Sequence, residues 1–264
     1  MLLGLSKNQK KKGCITEALP YFCFMALQEE LEVQGAFLFR WRSYLPLVFL
    51  ISGIATVLLF PMDLPPLLIF SALSVGLLGQ FLRILAVGYA APNTSGRNTA
   101  EGQIADSLNT KGLYGMVRHP LYVGNFLMWL SICLLVGSFW FSLCFIAAFW
   151  LYYERIMYAE EQFLRRKFGS VYLDWAQQTP AFVPKTLTWS RPKHGFSWKR
   201  VLKKEKNGLF ALLLLFWLFL YVQSSLFAGN WLNPLNAWAY AALASALLYL
   251  VLKWIKYQTK WLQE

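Results

Sequence analysis

From Leu121 to Tyr153, and again from Asn207 to Leu252, the chain carries no charged side chain, and from Ser43 to Pro92 it carries only Asp63 and Arg83. The surface of a water-soluble domain cannot be built from such runs. A bilayer, whose hydrocarbon is about 30 Å thick, asks for helices of about 20 apolar residues. Pro61 and Pro65-Pro66 divide the first run into expected spans at 44–60 and 66–91. At about 1.5 Å per residue the run 121–153 is too long for one span, so Gly137-Ser138 is expected to turn a hairpin of two short helices. Gly229-Asn230 and Asn233-Pro234 break the last run into spans at 208–227 and 235–254. The expected fold is therefore all-α and polytopic, with six transmembrane helices. The composition agrees, with 57% hydrophobic and 14% charged residues, against about 45–50% and about 25% in soluble domains.

The 25 Lys and Arg against 13 Asp and Glu give a formal net charge of +12. Such an excess signals either an anionic partner or sorting across a membrane. On the six-span map 24 of the 25 cations fall on one side, and the exception, Arg83, lies within the second span. Short cytoplasmic loops collect Lys and Arg, so both termini and both polar connections are expected to face the cytoplasm, and no nucleic-acid partner is needed. Residues 15–40 read as an interfacial helix. They do not read as a secretory signal, because Gln28, Glu29, Glu30 and Glu32 interrupt the apolar stretch. Cys14, Cys23, Cys133 and Cys144 form no Cys-x-x-Cys pair and are read as apolar filler, with no metal site expected. Nothing in the sequence speaks to oligomeric state.

Some charges are not accounted for by sorting. Arg118-His119 precede Pro120 at the start of the third span. Proline suits the first turn of a helix and pushes the residue before it out of helical geometry. The pair thus sits at a helix N-terminus, where free N–H groups and the dipole favour an anionic group, with Tyr122 one turn deeper on the same face as His119. The alternative is that both are ordinary interface anchors. Beyond the fourth span, Tyr153, Ile156, Met157, Phe163, Leu164 and Phe168 make an apolar stripe, and Glu160 falls in its middle. A carboxylate there needs a partner, either a ligand or an internal salt bridge to Arg118 or Lys167. Glu161, at the stripe's edge, could pair with Arg165 one turn on. Phe168-Gly169, Tyr172, Trp175, Pro180, Phe182 and Pro184 then form an aromatic strip, expected to be irregular backbone and to make a pocket wall or rest among headgroups.

Together these segments resemble a known pattern. Gly112-x-Tyr114-x-x-x-Arg118-His119-Pro120-x-Tyr122-x-Gly124, followed after one hairpin by Glu160-Glu161, Phe168-Gly169, Tyr172 and Pro180, is similar to the integral-membrane methyltransferases, the isoprenylcysteine carboxyl and phospholipid methyltransferases. The likeness covers roughly 75–184. It implies S-adenosylmethionine as methyl donor in a cytosol-facing pocket and a lipid or lipidated acceptor entering from the bilayer, with O-methylation of a carboxylate or phosphate ranked ahead of phospholipid amine methylation. By position it assigns Gly112, Tyr114, His119, Pro120, Tyr122, Glu160, Glu161 and Tyr172 to the cofactor, and Arg83, Arg118 and Arg155 to the acceptor side or the support of the pocket. Arg97 is a further cation expected near it. The last two spans and the N-terminal arm are not explained by the likeness; the expected organisation is a cytoplasmic amphipathic arm at 1–43, a methyltransferase core at 44–206 and a C-terminal transmembrane hairpin at 207–264. Membrane sterol reductases, which use NADPH, share the Arg-His-Pro-x-Tyr segment. The acidic pair suits a cationic cofactor better than a 2′-phosphate, although Arg165-Arg166-Lys167 leaves that alternative open. A transporter would need ionisable groups deep in several spans, and only Arg83 approaches this.

Overall fold

The computed structural model describes residues 27–42, 44–92, 94, 98–99, 102–103, 105–231 and 233–258. Residues 1–26, and with them Cys14, Cys23 and most of the expected arm, lie outside the described residues, as does Arg97. The described chain is built from eight α-helices: α1 (Leu27–Trp41), α2 (Leu45–Leu59), α3 (Pro66–Tyr89), α4 (Pro120–Leu134), α5 (Phe139–Phe168), α6 (Ser170–Gln178), α7 (Trp198–Phe227) and α8 (Ala237–Gln258). A two-residue antiparallel ladder, Asn98–Thr99 against Gly102–Gln103, and a 3-10 turn at Gly112–Gly115 lie between α3 and α4. The fold is all-α and that of an integral membrane protein.

The span count differs from the expected six. Among the described residues, α3, α7 and α8 are long and apolar enough to cross a membrane, or four spans if the bent pair of α1 and α2 counts as one. The reason is length. α2 and α4 have 15 residues each, and 15 residues rise only about 22 Å, short of the hydrocarbon thickness. The fourth expected span is the apolar half of α5, which continues unbroken into the charged half as one helix of 30 residues. α7 begins at Trp198 and so runs through position 206.

The turn chemistry is local and legible. Pro120 opens α4, and His119 before it sits outside the helix at φ −120°, ψ 59°. Gly137, at φ +78°, closes the α4–α5 connection, a left-handed conformation that side chains resist. Ser138 then caps α5 by accepting from the Phe141 N–H. Gly169, at φ +54°, ends α5. The backbone beyond it is not irregular as expected, because Ser170–Gln178 forms α6, with Tyr172 and Trp175 on one face. Only the stretch from Thr179 onward leaves helical geometry.

Packing follows small residues, which let helix backbones approach where lipid provides no hydrophobic drive. On α3, Ala72, Gly76 and Gly79 are buried against α4. A Cβ on Gly79 would stand 2.7 Å from the Gly124 carbonyl, and one on Gly124 would stand 2.5 Å from Arg83 Cγ. One core joins α2, α3, α4 and α7 through Val57, Ala72, Ile132, Leu135, Leu212 and Phe216. A second, aromatic core joins α1, α4 and α5 through Phe39, Tyr122, Phe145, Phe149 and Tyr153.

Candidate functional site

A cavity of about 510 Å³ opens among α3, the 3-10 turn, the start of α4, the charged half of α5, α6 and the near ends of α7 and α8. This is within the usual range for a small-molecule site, about 300–1,000 Å³. Among the residues expected at a site, Arg83, Tyr114, Arg118, His119, Pro120, Tyr122, Glu160, Glu161 and Tyr172 all line it. Gly112 and Arg155 do not. Gly112 holds the 3-10 turn at φ +65°, with its N–H donating to the Ser190 carbonyl at 3.0 Å. Arg155 faces α1, donating from Nε to Gln34 Oε1 at 2.8 Å.

Two adjacent carboxylates on α5 find different surroundings. Glu161 Oε1 accepts from Arg118 Nε at 2.8 Å and from His119 Nε2 at 2.9 Å; an ionised carboxylate only accepts, so that ring nitrogen carries hydrogen. Burial would raise the Glu161 pKa, but His119 and Arg118 outweigh it and hold the carboxyl below the usual glutamate range. Arg165, the partner expected for Glu161, is instead exposed. Glu160 Oε2 accepts from the Tyr122 hydroxyl at 2.9 Å and lies 3.7 Å from His119 Nδ1. The cations weighed as its internal partners do not reach it: Arg118 goes to Glu161, and Lys167 is exposed beside the Phe163 and Phe168 rings. Glu160 thus lines the cavity, bonded to the Tyr122 hydroxyl and beside His119. Tyr122 stacks on His119, centroids 5.5 Å apart and planes at 18°.

α6 and the strip after it hold this arrangement in place. Arg118 Nη1 donates to the Ala176 and Thr179 carbonyls at 2.8 and 3.0 Å. The Arg118 and His119 backbone N–H groups donate to the Pro180 and Ala181 carbonyls at 2.8 and 3.1 Å. Trp175 Nε1 donates to the Tyr114 carbonyl at 3.1 Å, and Phe182 packs edge-on to Phe126 and Trp150. Burial and the neighbouring Glu161 push the Tyr172 hydroxyl well above the usual tyrosine range, so it stays protonated.

A second constellation was absent from the sequence reading. Glu205 on α7 accepts from Arg83 Nε and Nη2, both at 2.8 Å, in a two-pronged pair. Gln80 Nε2 joins at 3.1 Å, and Arg83 Nη1 donates to Asn125 Oδ1. Glu205 is only 4% exposed. A signal did exist: Glu205 is in helical phase with the buried Val201, Leu212, Phe216 and Phe219, but 198–206 reads as a polar connection until α7 is seen to begin at Trp198. Among the described residues no group of three or more His, Cys, Asp or Glu side chains is placed to hold a metal ion.

Among the described residues, apolar helices surround a charged cavity at their polar ends, the arrangement of a membrane protein with a candidate small-molecule site. Residues 69–171 match the phospholipid methyltransferase family model. It is 33% identical over 114 residues to a protein-S-isoprenylcysteine O-methyltransferase of Schizosaccharomyces pombe, covering 43% of this chain and 48% of that protein. It is 31% identical over 118 residues to protein-S-isoprenylcysteine O-methyltransferase B of Arabidopsis thaliana, covering 42% and 57%. A nickel-cobalt-cadmium resistance protein of Alcaligenes xylosoxydans xylosoxydans is 34% identical over 113 residues, covering 43% and 50%. The chain thus spans about half the length of these relatives. No solved structure matches it significantly.

Proposed function

We propose that this protein is an S-adenosylmethionine-dependent membrane methyltransferase acting on a lipid or lipidated acceptor, by O-methylation of a carboxylate or phosphate. The observation that carries the reading is the pair of glutamates on α5. Arg118 and His119 neutralise Glu161, while Glu160 is left facing a cavity of about 510 Å³. A carboxylate so placed fits a ligand that brings its own positive charge.

The residues present fit that cofactor. Glu160 would take its ammonium or a ribose hydroxyl, and the start of α4 with Arg118 would favour its carboxylate. The stacked faces of Tyr122 and His119, with Trp175, offer aromatic surface to a cation. Bound S-adenosylmethionine would supply a methyl group on a sulfonium. Arg118, pinned by Glu161 and two carbonyls, holds the wall of the pocket. Tyr172 remains a neutral donor, and Arg83, fixed by Glu205, keeps a positive group beside the acceptor's path. An acceptor that is already an anion needs no base, so the side chains have only to align the two reactants and exclude water. Both termini and the cavity lie on the cytoplasmic side in this reading, as the sorting of the cations implies.

The NADPH alternative finds no support at the site. Arg165, Arg166 and Lys167 are exposed, Arg166 pairs with Glu32 at 2.6 Å, and none of the three lines the cavity. Titration of the purified protein tests the assignment: saturable binding of S-adenosylhomocysteine with no response to NADPH is expected, and the reverse result overturns it. Mass spectrometry of lipids from cells with and without the protein should show a 14 Da shift on an anionic species; a shift on an amine headgroup would assign phospholipid N-methylation instead.

A further inference from the structure

Three tyrosines line the cavity, Tyr114, Tyr122 and Tyr172, and their hydroxyls are not equivalent. The Tyr122 hydroxyl donates to Glu160 at 2.9 Å. Tyr172 lies beside Glu161 with its hydroxyl sealed from solvent. The Tyr114 hydroxyl has no hydrogen-bond partner among the described residues and is not sealed. Polar groups inside a protein are normally satisfied, and a phenol carries one O–H donor. An unspent donor held in a cavity is open to a ligand.

The ring is held from both sides of its turn. Gly112 opens the 3-10 turn at φ +65°, with its N–H donating to the Ser190 carbonyl at 3.0 Å, and Trp175 Nε1 donates to the Tyr114 carbonyl at 3.1 Å. Burial, and then the negative Glu160, push the phenol well above the usual tyrosine range, while Arg83 works the other way. Tyr114 is thus a neutral donor within electrostatic reach of both Glu160 and Arg83.

Arg83 also keeps donors in reserve. Of the five N–H groups of a guanidinium, the Nε one and one on Nη2 go to Glu205, and one on Nη1 goes to Asn125. One N–H on each terminal nitrogen remains, and the side chain is 21% exposed where it lines the cavity. The three carboxylates of the cavity decide where an anion can go. Glu205 is matched by Arg83 and Gln80, and Glu161 by Arg118 and His119. Glu160 repels an anion from its own side, which suits a positively charged ligand, and leaves the Arg83 side of Tyr114 for the anion. Because Arg83 is already paired, directed N–H and O–H bonds rather than net charge would hold it.

We propose that the Tyr114 hydroxyl and the two remaining N–H groups of Arg83 form an oxyanion subsite that holds one oxygen of the acceptor's carboxylate or phosphate. The family likeness gives Tyr114 to the cofactor; its unspent hydroxyl between Glu160 and Arg83 gives it to the acceptor instead. The word acceptor rests on the methyltransferase reading, whereas the binding of an anion does not. Holding one oxygen leaves another of the same group free to face the methyl donor, so the subsite orients as well as binds.

The test uses the full-length protein in neutral phosphatidylcholine nanodiscs. Palmitate and phosphatidic acid are separate titrants, methyl palmitate is the uncharged control, and S-adenosylhomocysteine affinity is measured on the same preparation. The wild type is expected to bind at least one of the two anions with a red shift of tyrosine ultraviolet absorbance, as the phenol donates to a charged oxygen. Which titrant responds identifies carboxylate or phosphate. Tyr114→Phe should lose the red shift and about tenfold or more in affinity, as for a hydrogen bond to a charged group, with S-adenosylhomocysteine affinity unchanged within twofold. The hydroxyl has no bond in the folded protein to lose, so this variant should melt within a few degrees of the wild type. No anion binding by the wild type, or the same shift with methyl palmitate, overturns the subsite. So does unchanged affinity in Tyr114→Phe, which would leave the anion to Lys203, Lys204 and Lys256 on the same cavity wall. A tenfold fall in S-adenosylhomocysteine affinity gives the hydroxyl to the cofactor, and a variant that fails to fold gives it to the fold; either overturns the proposal. Failure of S-adenosylhomocysteine to bind the wild type overturns the cofactor reading alone, and the anion result stands by itself.

Discussion

Glu160 and Glu161 are neighbours in sequence with different partners. Glu161 is consumed by Arg118 and His119, and so acts as a positioning residue that fixes the start of α4 against α5. Glu160 meets the Tyr122 hydroxyl at 2.9 Å and a His119 ring nitrogen at 3.7 Å. Glu160→Gln is expected to weaken S-adenosylhomocysteine binding tenfold or more by calorimetry while leaving the melting temperature within a few degrees. Glu161→Gln should act the other way, costing about 1–3 kcal/mol of stability because Arg118 loses its partner, with a smaller loss of affinity. Equal effects on affinity would refute this division. His119→Ala removes both the Glu161 contact and the ring stacked on Tyr122, and should raise the dissociation constant; unchanged binding would remove His119 from the site. The pH dependence follows from Glu161. Its folded pKa lies below the ordinary glutamate value, so the stability it contributes is present above about pH 4.5 and is lost as pH falls through the lowered folded value. Melting in detergent should show wild type and Glu161→Gln converging at acid pH, and a constant gap would contradict the assignment.

At the scale of elements, the crossing of α3 and α4 decides where Arg83 points. Gly79 and Gly124 meet backbone to backbone, and Arg83 lies over Gly124. Gly124→Ala forces either the helices apart or the arginine stem aside, an overpacking that costs about 1–3 kcal/mol. The variant should melt lower and lose acceptor turnover more than cofactor affinity; full turnover would show that the close approach is dispensable. Much at this scale was legible beforehand. Pro120 as a helix start, the turn at Gly137-Ser138 and the long apolar runs are local signals, and local sterics enforce them wherever the chain goes. The bounds of α2 and α3 followed from prolines for the same reason. The helix at Ser170–Gln178 was not legible, because Gly169 ends α5 without preventing another helix from starting at once, and its support comes from the distant Tyr114 carbonyl. Nor was the start of α7, since Lys and Arg on a helix entering a membrane look like those of a loop.

At the scale of the whole molecule, the C-terminal helices are integral to the site. α7 contributes Leu212, Phe216 and Phe219 to a core shared with α2, α3 and α4 and buries Glu205 against Arg83. Breaking that pair with Glu205→Ala leaves a largely buried guanidinium without its carboxylate, a loss of about 3–5 kcal/mol. Pulse proteolysis in detergent should find the variant markedly less stable, and wild-type resistance would show that the pair is not structural. Removing residues 207–264 should for the same reason abolish the folded state rather than yield an active core; a soluble, cofactor-binding remnant in detergent would prove the two parts independent.

The sequence by itself determined what depends on composition and near neighbours: a membrane protein of apolar helices and a proline-started helix bearing Arg118 and His119. It also singled out Glu160 and Glu161, because a carboxylate on an apolar stripe is costly anywhere. Tertiary structure alone decided which carboxylate is satisfied, since Arg118 is 43 positions from Glu161 in sequence and i to i+4 spacing offered Arg165 instead. It alone decided that Arg155 turns toward α1 while Arg83 pairs with a residue 122 positions away. It also shortened the expected spans to the lengths that capping and turns allow. Long-range pairing depends on which helix faces pack, and that is fixed by the close approach of small residues across several helices at once rather than by any one stretch of sequence.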